Sequence, residues 1–417
     1  MVSRFPRFHH VPSAQSSSFK ISRRRWLGLM VSALACSFGI QSQAHAQAAD
    51  DANAPRLLQV NSIKFSPDGK LLVAGMNQIQ GKKMLKRQMR LWDVATGNAL
   101  QTVDGPNNMD MGVAFSPDGK LLAGVGIAAL DGNMTGSEVN LWSVPGGKPV
   151  RHLTVEPHEM VLGLAFAPDG KTLAGGSIVE KDGAAQGQVR LWIVGTGIVK
   201  KTIAGLQGSP GGLAYSPDGK WLAAPTQVVQ GDKVTASEVR LWNSDSGQLA
   251  HTFSIPGVVV EALAFTPDAK ALAIKAATVD AKGEVGYSTV KLWDVTTGKL
   301  QWNFDEVGVS SLVQSIAFSG DGKWFVAAGV SFGRNVRNRI WVWSMTPDAN
   351  GGLNLVNTWT PTSQNPDADD LANPSGGLVA ALAPDDKTVA VGLGTGDVQL
   401  IDLQTGQVLR TFTNPVE

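Results

Sequence analysis

The side chains able to do acid–base or metal chemistry are few and scattered. Of six histidines, only His152, His158 and His251 lie beyond residue 46, and no common spacing links them to a shared metal ion. A metal site is therefore not expected. The single cysteine, Cys36, sits in an apolar run near the start of the chain, so disulfides, thiol catalysis and cysteine–metal ligation are excluded for the remainder. Seven aspartates, Asp68, Asp118, Asp169, Asp218, Asp268, Asp321 and Asp385, recur among turn-forming neighbours and read as turn caps rather than calcium ligands. The glycine-rich stretches "GLGTG" and "GTGDV" join two strands, whereas a phosphate loop opens a helix. No nucleophile, base and orienting group can be assembled. The sequence thus predicts no enzyme, no catalytic residue and no cofactor.

What remains is charge. One segment carries Lys82, Lys83, Lys86 and Arg87, and another carries Arg334, Arg337 and Arg339. Clustered cations of this kind attract an anion or an acidic partner. Counterparts between them lean acidic, with Asp131, Glu138, Glu180, Asp182, Asp232 and Glu238 against Lys181 and Lys233. Whether the basic segments meet depends on the elements that carry them.

Those elements repeat. "VNSIKFSPDGKLLVAG" from Val60 returns as "MGVAFSPDGKLLAG", "LGLAFAPDGKTLAGG", "GGLAYSPDGKWLAA", "ALAFTPDAKALAI", "QSIAFSGDGKWFVAAG" and "VAALAPDDKTVAVG". Phe65, Phe115, Phe166, Tyr215, Phe265, Phe318 and Leu382 head the turns, at spacings of 50, 51, 49, 50, 53 and 64. A second half, as in "MRLWDVATG", brings back Trp92, Trp142, Trp192, Trp242, Trp293 and Trp343, with Ile401 in the seventh copy. Short apolar runs bounded by Pro-Asp-Gly and Thr-Gly are strands joined by tight turns. Each copy reads as a four-stranded antiparallel meander. Such a sheet covers both faces only by stacking on its neighbours, so the copies close into a ring.

The FSPDGK and LWD-x-x-TG elements resemble those of the WD40-repeat family of β-propellers, from residue 60 to about 413. The resemblance implies an all-β, seven-bladed β-propeller of four-stranded antiparallel blades. The expected blades are 60–105, 106–156, 157–205, 206–254, 255–304, 305–360 and 377–413, with an insertion at 361–376. The family's Gly-His pair is absent, with only His158 near its place, and Trp-Asp survives only at Trp92-Asp93 and Trp293-Asp294. Cohesion is therefore expected from stacked apolar and aromatic faces. The last four strands all come from the C-terminal stretch, so closure is expected without strand exchange. Trp302, Trp341 and Trp359 fall outside the repeat and stand as candidate anchors for a partner.

The copies differ most between their second and third strands. Six carry long hairpins and the seventh keeps the tight "GLGTGDV". In a ring, the two basic segments belong to blades one and six and flank blade seven. A notch with basic walls is the expected site, with Asp367, Asp369 and Asp370 of the insertion on the same face. Arg90 matches Arg190, Arg240 and Lys291 and reads as scaffold.

At the N-terminus, Leu27 to Ile40 is an apolar run of fourteen residues, short of the roughly twenty that span a bilayer. Arg23, Arg24 and Arg25 precede it and Ala44-His45-Ala46 follows, which together form an export signal over residues 1–46. "SRRRWL" resembles the twin-arginine motif, with Trp26 in the usual Phe place and Gly28 where Lys is common, and ordinary secretion also fits. Cys36 after Ala33-Leu34-Ala35 is a weaker candidate for lipid attachment. Residues 47–59 read as a linker.

Cleavage would remove Arg4, Arg7, Lys20, Arg23, Arg24 and Arg25, leaving 30 basic residues against 35 acidic ones. A mildly acidic domain is no obvious nucleic-acid binder. The expectation is an exported, periplasmic scaffold with no transmembrane segment, binding a protein or peptide of acidic character on its hairpin face. The rival is a small-molecule binder or enzyme using the central channel, as quinone-dependent dehydrogenases and lactonases on similar propellers do. Oligomeric state is not legible.

Overall fold

A computed structural model describes residues 56–80, 83–104, 108–130, 133–181, 184–230, 233–279, 285–304, 311–332, 336–349, 351–361 and 378–414. Residues 1–46, expected from the sequence to be an export signal, and most of the expected insertion lie outside them. The described residues form seven four-stranded antiparallel sheets, each a meander in chain order. In blade one these are β1 (Arg56–Phe65), β2 (Leu71–Gln80), β3 (Lys83–Asp93) and β4 (Ala99–Asp104).

The innermost strands are β1, β5 (Asn108–Phe115), β9 (Met160–Phe166), β13 (Ala214–Tyr215), β17 (Val258–Phe265), β21 (Ser311–Phe318) and β25 (Val379–Leu382). Each touches the next, and β25 returns to β1. The last blade consists of β25, β26 (Thr388–Gly392), β27 (Val398–Asp402) and β28 (Val408–Phe412). The ring thus closes with no strand exchanged.

The core lies between blades, as stacking requires. Trp92, Trp192 and Trp343 are at most 1% exposed. Trp92 meets Phe412 of blade seven with ring centroids 5.7 Å apart, so an aromatic contact spans the closure.

Each Pro-Asp-Gly turn caps itself and touches its neighbour. In blade one the Asp68 carboxylate accepts from Ser66 Oγ at 2.7 Å and from the Lys70 N–H at 3.1 Å. Gly69 has φ of 71°, a conformation open to glycine at little cost. A Cβ there would lie 3.5 Å from Pro384 of blade seven. The same contact joins Gly119 to Pro67, Gly170 to Pro117, Gly219 to Pro168 and Gly322 to Pro267. A belt of proline–glycine contacts therefore joins five of the seven neighbouring pairs of turns at one end of the ring.

Between blades six and seven the belt changes chemistry. Gly320 stands where the other turns have proline, and Asp386 stands where most have glycine, at φ of 57°. The Asp386 carboxylate accepts the N–H of Gly320 and, at 3.0 Å, that of Asp321. Loss of proline exposes an N–H, and the aspartate takes it up.

One boundary moves. β1 begins at Arg56, inside the expected 47–59 linker, because the lengthened β2 offers partners as far as Arg56↔Gln80. A strand extends while a neighbour can pair with it.

Candidate functional site: the hairpin face and the channel

The long hairpins are continuous strand extensions. β2 and β3 pair from Leu71↔Asp93 to Gln80↔Lys83, and β22 (Trp324–Phe332) with β23 (Val336–Ser344) from Trp324↔Ser344 to Phe332↔Val336. In blade seven, β26 and β27 pair only from Thr388↔Asp402 to Gly392↔Val398. At about 3.4 Å per residue, blade seven stops roughly 17 Å short of the arm of blade one. Its flanking blades are one and six, through the contacts of β25 with β1 and β21.

The floor of this notch is tightly filled. A Cβ on Gly392 would run into Val60, and one on Gly396 into Leu58. The early part of β1 therefore leans on the short hairpin, and only these glycines let it approach. Asn414, which follows β28, fixes the same corner. It donates through Nδ2 to the Gly396 carbonyl and accepts Arg90 NH1 at 2.7 Å. Arg90, expected as scaffold, thus ties blade one to the end of the chain. Burial pushes the adjacent Asp397 carboxyl above the usual carboxylate range.

The seven predicted basic residues divide unevenly. Lys82 and Arg334 lie outside the described residues. Lys83 and Arg87 are on β3 and Arg337 is on β23. Lys86 is half-buried on β3 opposite Gln78. Arg339 is not at a hairpin tip but within the paired strand, opposite Gly329. It is half-buried, and its Nε is buried with no hydrogen-bond partner among the described residues.

Among the acidic counterparts, Glu180 is exposed and Glu238 pairs with Arg240 of its own blade at 3.2 Å. Asp131, Asp182, Asp232, Asp367, Asp369 and Asp370 lie outside the described residues. Of the tryptophans without a repeat position, Trp341 is buried at 2% exposure, and Trp302 and Trp359 pack against apolar clusters. They serve the core rather than a surface, which corrects their reading as anchors.

Two charged networks escaped the sequence reading. In blade three, Glu159 is fully buried, just before β9. Its Oε1 accepts Ser177 Oγ at 2.5 Å, Gln188 Nε2 at 2.8 Å and Arg190 Nε at 3.1 Å, and its Oε2 accepts the Glu156 N–H at 3.0 Å. Arg190 NH2 lies 2.9 Å from Glu159 Oε2 and 2.8 Å from Glu156 Oε1. These last contacts are off the line of its N–H bonds, so NH2 acts as a charge rather than a directed donor. His158, beside it, is exposed at φ of 62°. Blade three is thus tethered by a buried polar network centred on Glu159, in addition to the stacked faces expected from the sequence.

In blade five, Lys275 of β18 (Ala271–Val279) meets Glu261 of β17 at 2.7 Å, both largely buried. Equivalent positions of the second strands hold Gly75, Val125, Gly176, Pro225, Ala328 and Gly392, so the lysine is particular to this blade. Glu261 lies on an inner strand and has no counterpart among the candidate residues legible in the sequence. The third departure is Lys64, exposed on β1. Among the described residues no group of three or more His, Cys, Asp or Glu side chains is placed to hold a metal ion. None of their helices is long and apolar enough to cross a membrane.

Comparison with known proteins agrees with this architecture. The family model for the WD domain, G-beta repeat, matches residues 56–93 and 147–192. The first match covers β1 to β3, and the second runs from the last turn of blade two to Trp192 of blade three. Among solved structures, the chain is similar to Kuenenia stuttgartiensis hydrazine synthase, at 17% identity and a TM-score of 0.60, covering 86% of this chain and 99% of that chain. Identity at that level shows the fold. No curated protein matches the chain.

Proposed function

We propose that this seven-bladed propeller of WD40 repeats is an exported, non-enzymatic scaffold that binds a protein or peptide of acidic character on its hairpin face, at the step over blade seven. Propellers of this kind generally mediate protein interactions. The carrying observation is the contrast between six extended hairpins and one short one. The turns and stacked faces repeat from blade to blade, whereas the hairpins vary, and variable loops on a rigid scaffold are where recognition residues are held. Arg339, half-buried beside that step with an unpartnered Nε, supports an acidic ligand group.

The test is affinity capture from native envelope extract at two salt concentrations, using the parent beside a variant with Lys82, Lys83, Lys86 and Arg87 changed to Glu. A protein bound by the parent, weakened by salt and lost by the folded variant supports the reading. Identical capture by both refutes it. For the exported and periplasmic part of the proposal, the intact mass of the envelope protein should correspond to a chain starting at Gln47. A lipid-modified chain starting at Cys36 would replace that cleavage with a membrane anchor.

A further inference from the structure

At the position one residue before the head of each first turn, six blades carry alanine and blade one carries lysine. The register is the same throughout: Lys64↔Val73, Ala114↔Ala123, Ala165↔Ala174, Ala214↔Ala223, Ala264↔Ala273, Ala317↔Val326 and Ala381↔Ala390. Most of these alanines pack into the cores between blades. A four-carbon amine does not fit such a gap, and Lys64 is exposed although Ile63 beside it is only 3% exposed. On an innermost strand, the water that reaches it is that of the central channel.

Among the described residues Lys64 has no counter-ion. The strands packed against β1 are β2, β5, β25 and β26, and their only titratable residue is Asp110, four residues along β5 from Ala114. Asp68, in the turn that follows β1, is engaged with Ser66 and Lys70. Enclosure by the ring lowers the amine below the ordinary lysine value, with burial as the whole cause. Its contact with water and its enclosure by protein are compatible because β1 is one of the seven strands that line the inside of the ring. A lysine that meets water on the inside of the ring and has no acidic partner among the described residues is open to an anion.

We propose that the central channel binds a small anionic ligand, through a carboxylate or phosphate group, on the ammonium of Lys64. The other six blades carry alanine at this position and offer no charged group there, which leaves the lysine as the group that fixes the ligand. An anion beside it raises the amine's pKa again, so binding takes up a proton at mildly alkaline pH. The site is independent of the hairpin face.

The test is calorimetric titration of the protein with inorganic phosphate and, separately, with succinate, at constant ionic strength. The variants are Lys64→Ala, which restores the residue of the other six blades, and Lys70→Ala, a control at an exposed turn. Saturable single-site binding of at least one anion by the parent and Lys70→Ala, weakened tenfold or more in Lys64→Ala, is the expected result. Which anion saturates distinguishes a phosphate from a carboxylate ligand. Without anion, Lys64→Ala should melt no lower than the parent. No saturation by either anion up to tens of millimolar, equal affinity in Lys64→Ala, or a lower melting temperature for that variant would each overturn the proposal. A hairpin variant that loses its protein partner should still bind the anion, which separates the two readings.

Discussion

Replacing Arg190 with methionine tests how blade three is held. The change keeps most of the side-chain volume and removes the cation from a fully buried carboxylate. Glu159 would keep Ser177, Gln188 and the Glu156 N–H, and lose contacts of 3.1 and 2.9 Å to the guanidinium. Breaking a buried pair from one side costs about 3–5 kcal/mol, because the remaining charge stays desolvated. The three surviving hydrogen bonds place the cost near the lower end. With roughly 2.1 cal/mol/K of unfolding entropy per residue over about 350 residues, the loss lowers Tm by about 4–7 °C. Calorimetry and urea unfolding would read it. Adding Glu159→Gln removes the stranded charge and keeps an acceptor for Ser177, so the double variant should recover about 2 kcal/mol. A loss below about 1 kcal/mol for Arg190→Met, or no recovery in the double variant, would refute the buried charge as the tether of this blade.

The closure and the turns give three further expectations. Arg410 of β28 donates to the carbonyls of Ala95 and Thr96 in blade one, so Arg410→Ala should cost about 1–2 kcal/mol and lower Tm, with faster proteolysis at the seam. Asp386→Gly and Gly320→Pro should each destabilise by about 1 kcal/mol, while the double variant restores the proline–glycine contact and should melt closer to the parent than either single change. If it is worse than both, the exchange of chemistry in the belt is not compensatory. Hydrogen bonds from Lys323, through its side chain and N–H, and from Ser319 hold Asp321 down to about 2. Its stabilisation is therefore complete above the unfolded value of 3.8 and lost as pH falls through about 2. The gap in urea midpoint between the parent and Asp321→Asn should close over that interval.

Most of the scaffold was legible because it depends on local chemistry that repeats. Pro67-Asp68-Gly69 declares a turn, and Trp92 declares a stacking position, whatever lies elsewhere in the chain. The start of β1 at Arg56 was missed because its cause is the length of β2, a neighbour rather than a local signal. Arg339 reads as a hairpin cation because its type and its closeness to Arg337 are visible in sequence, whereas its pairing with Gly329 is not. Glu159 lies one residue from His158, and nothing in its local sequence marks it as a buried acid. The signal that could have found Glu159 is the co-occurrence of Gln188 and Arg190 two residues apart on the third strand. Lys64 and Lys275 each break a column of small residues. Aligning the copies by position, rather than searching for recurrent residues, exposes them.

The closure of the ring and the step over blade seven share one structural cause. With no exchanged strand, blade seven is held to blade one by side-chain contacts: Pro384 beside Gly69, Trp92 against Phe412, Arg410 on Ala95 and Thr96, and Asn414 between Arg90 and Gly396. A short hairpin lets β1 lean over Gly392 and Gly396 and adds apolar contact at this seam. A long hairpin there would carry side chains where Leu58 and Val60 now pack. The feature that leaves room for a partner between the arms of blades one and six therefore also helps the ring close. A partner resting on both arms would bridge the seam, and ligands that bind only the folded state stabilise it in proportion to the logarithm of their concentration over Kd. Under the proposed function, recognition at this step and cohesion of the ring are one equilibrium, and changes that weaken the seam should weaken the partner's affinity as well.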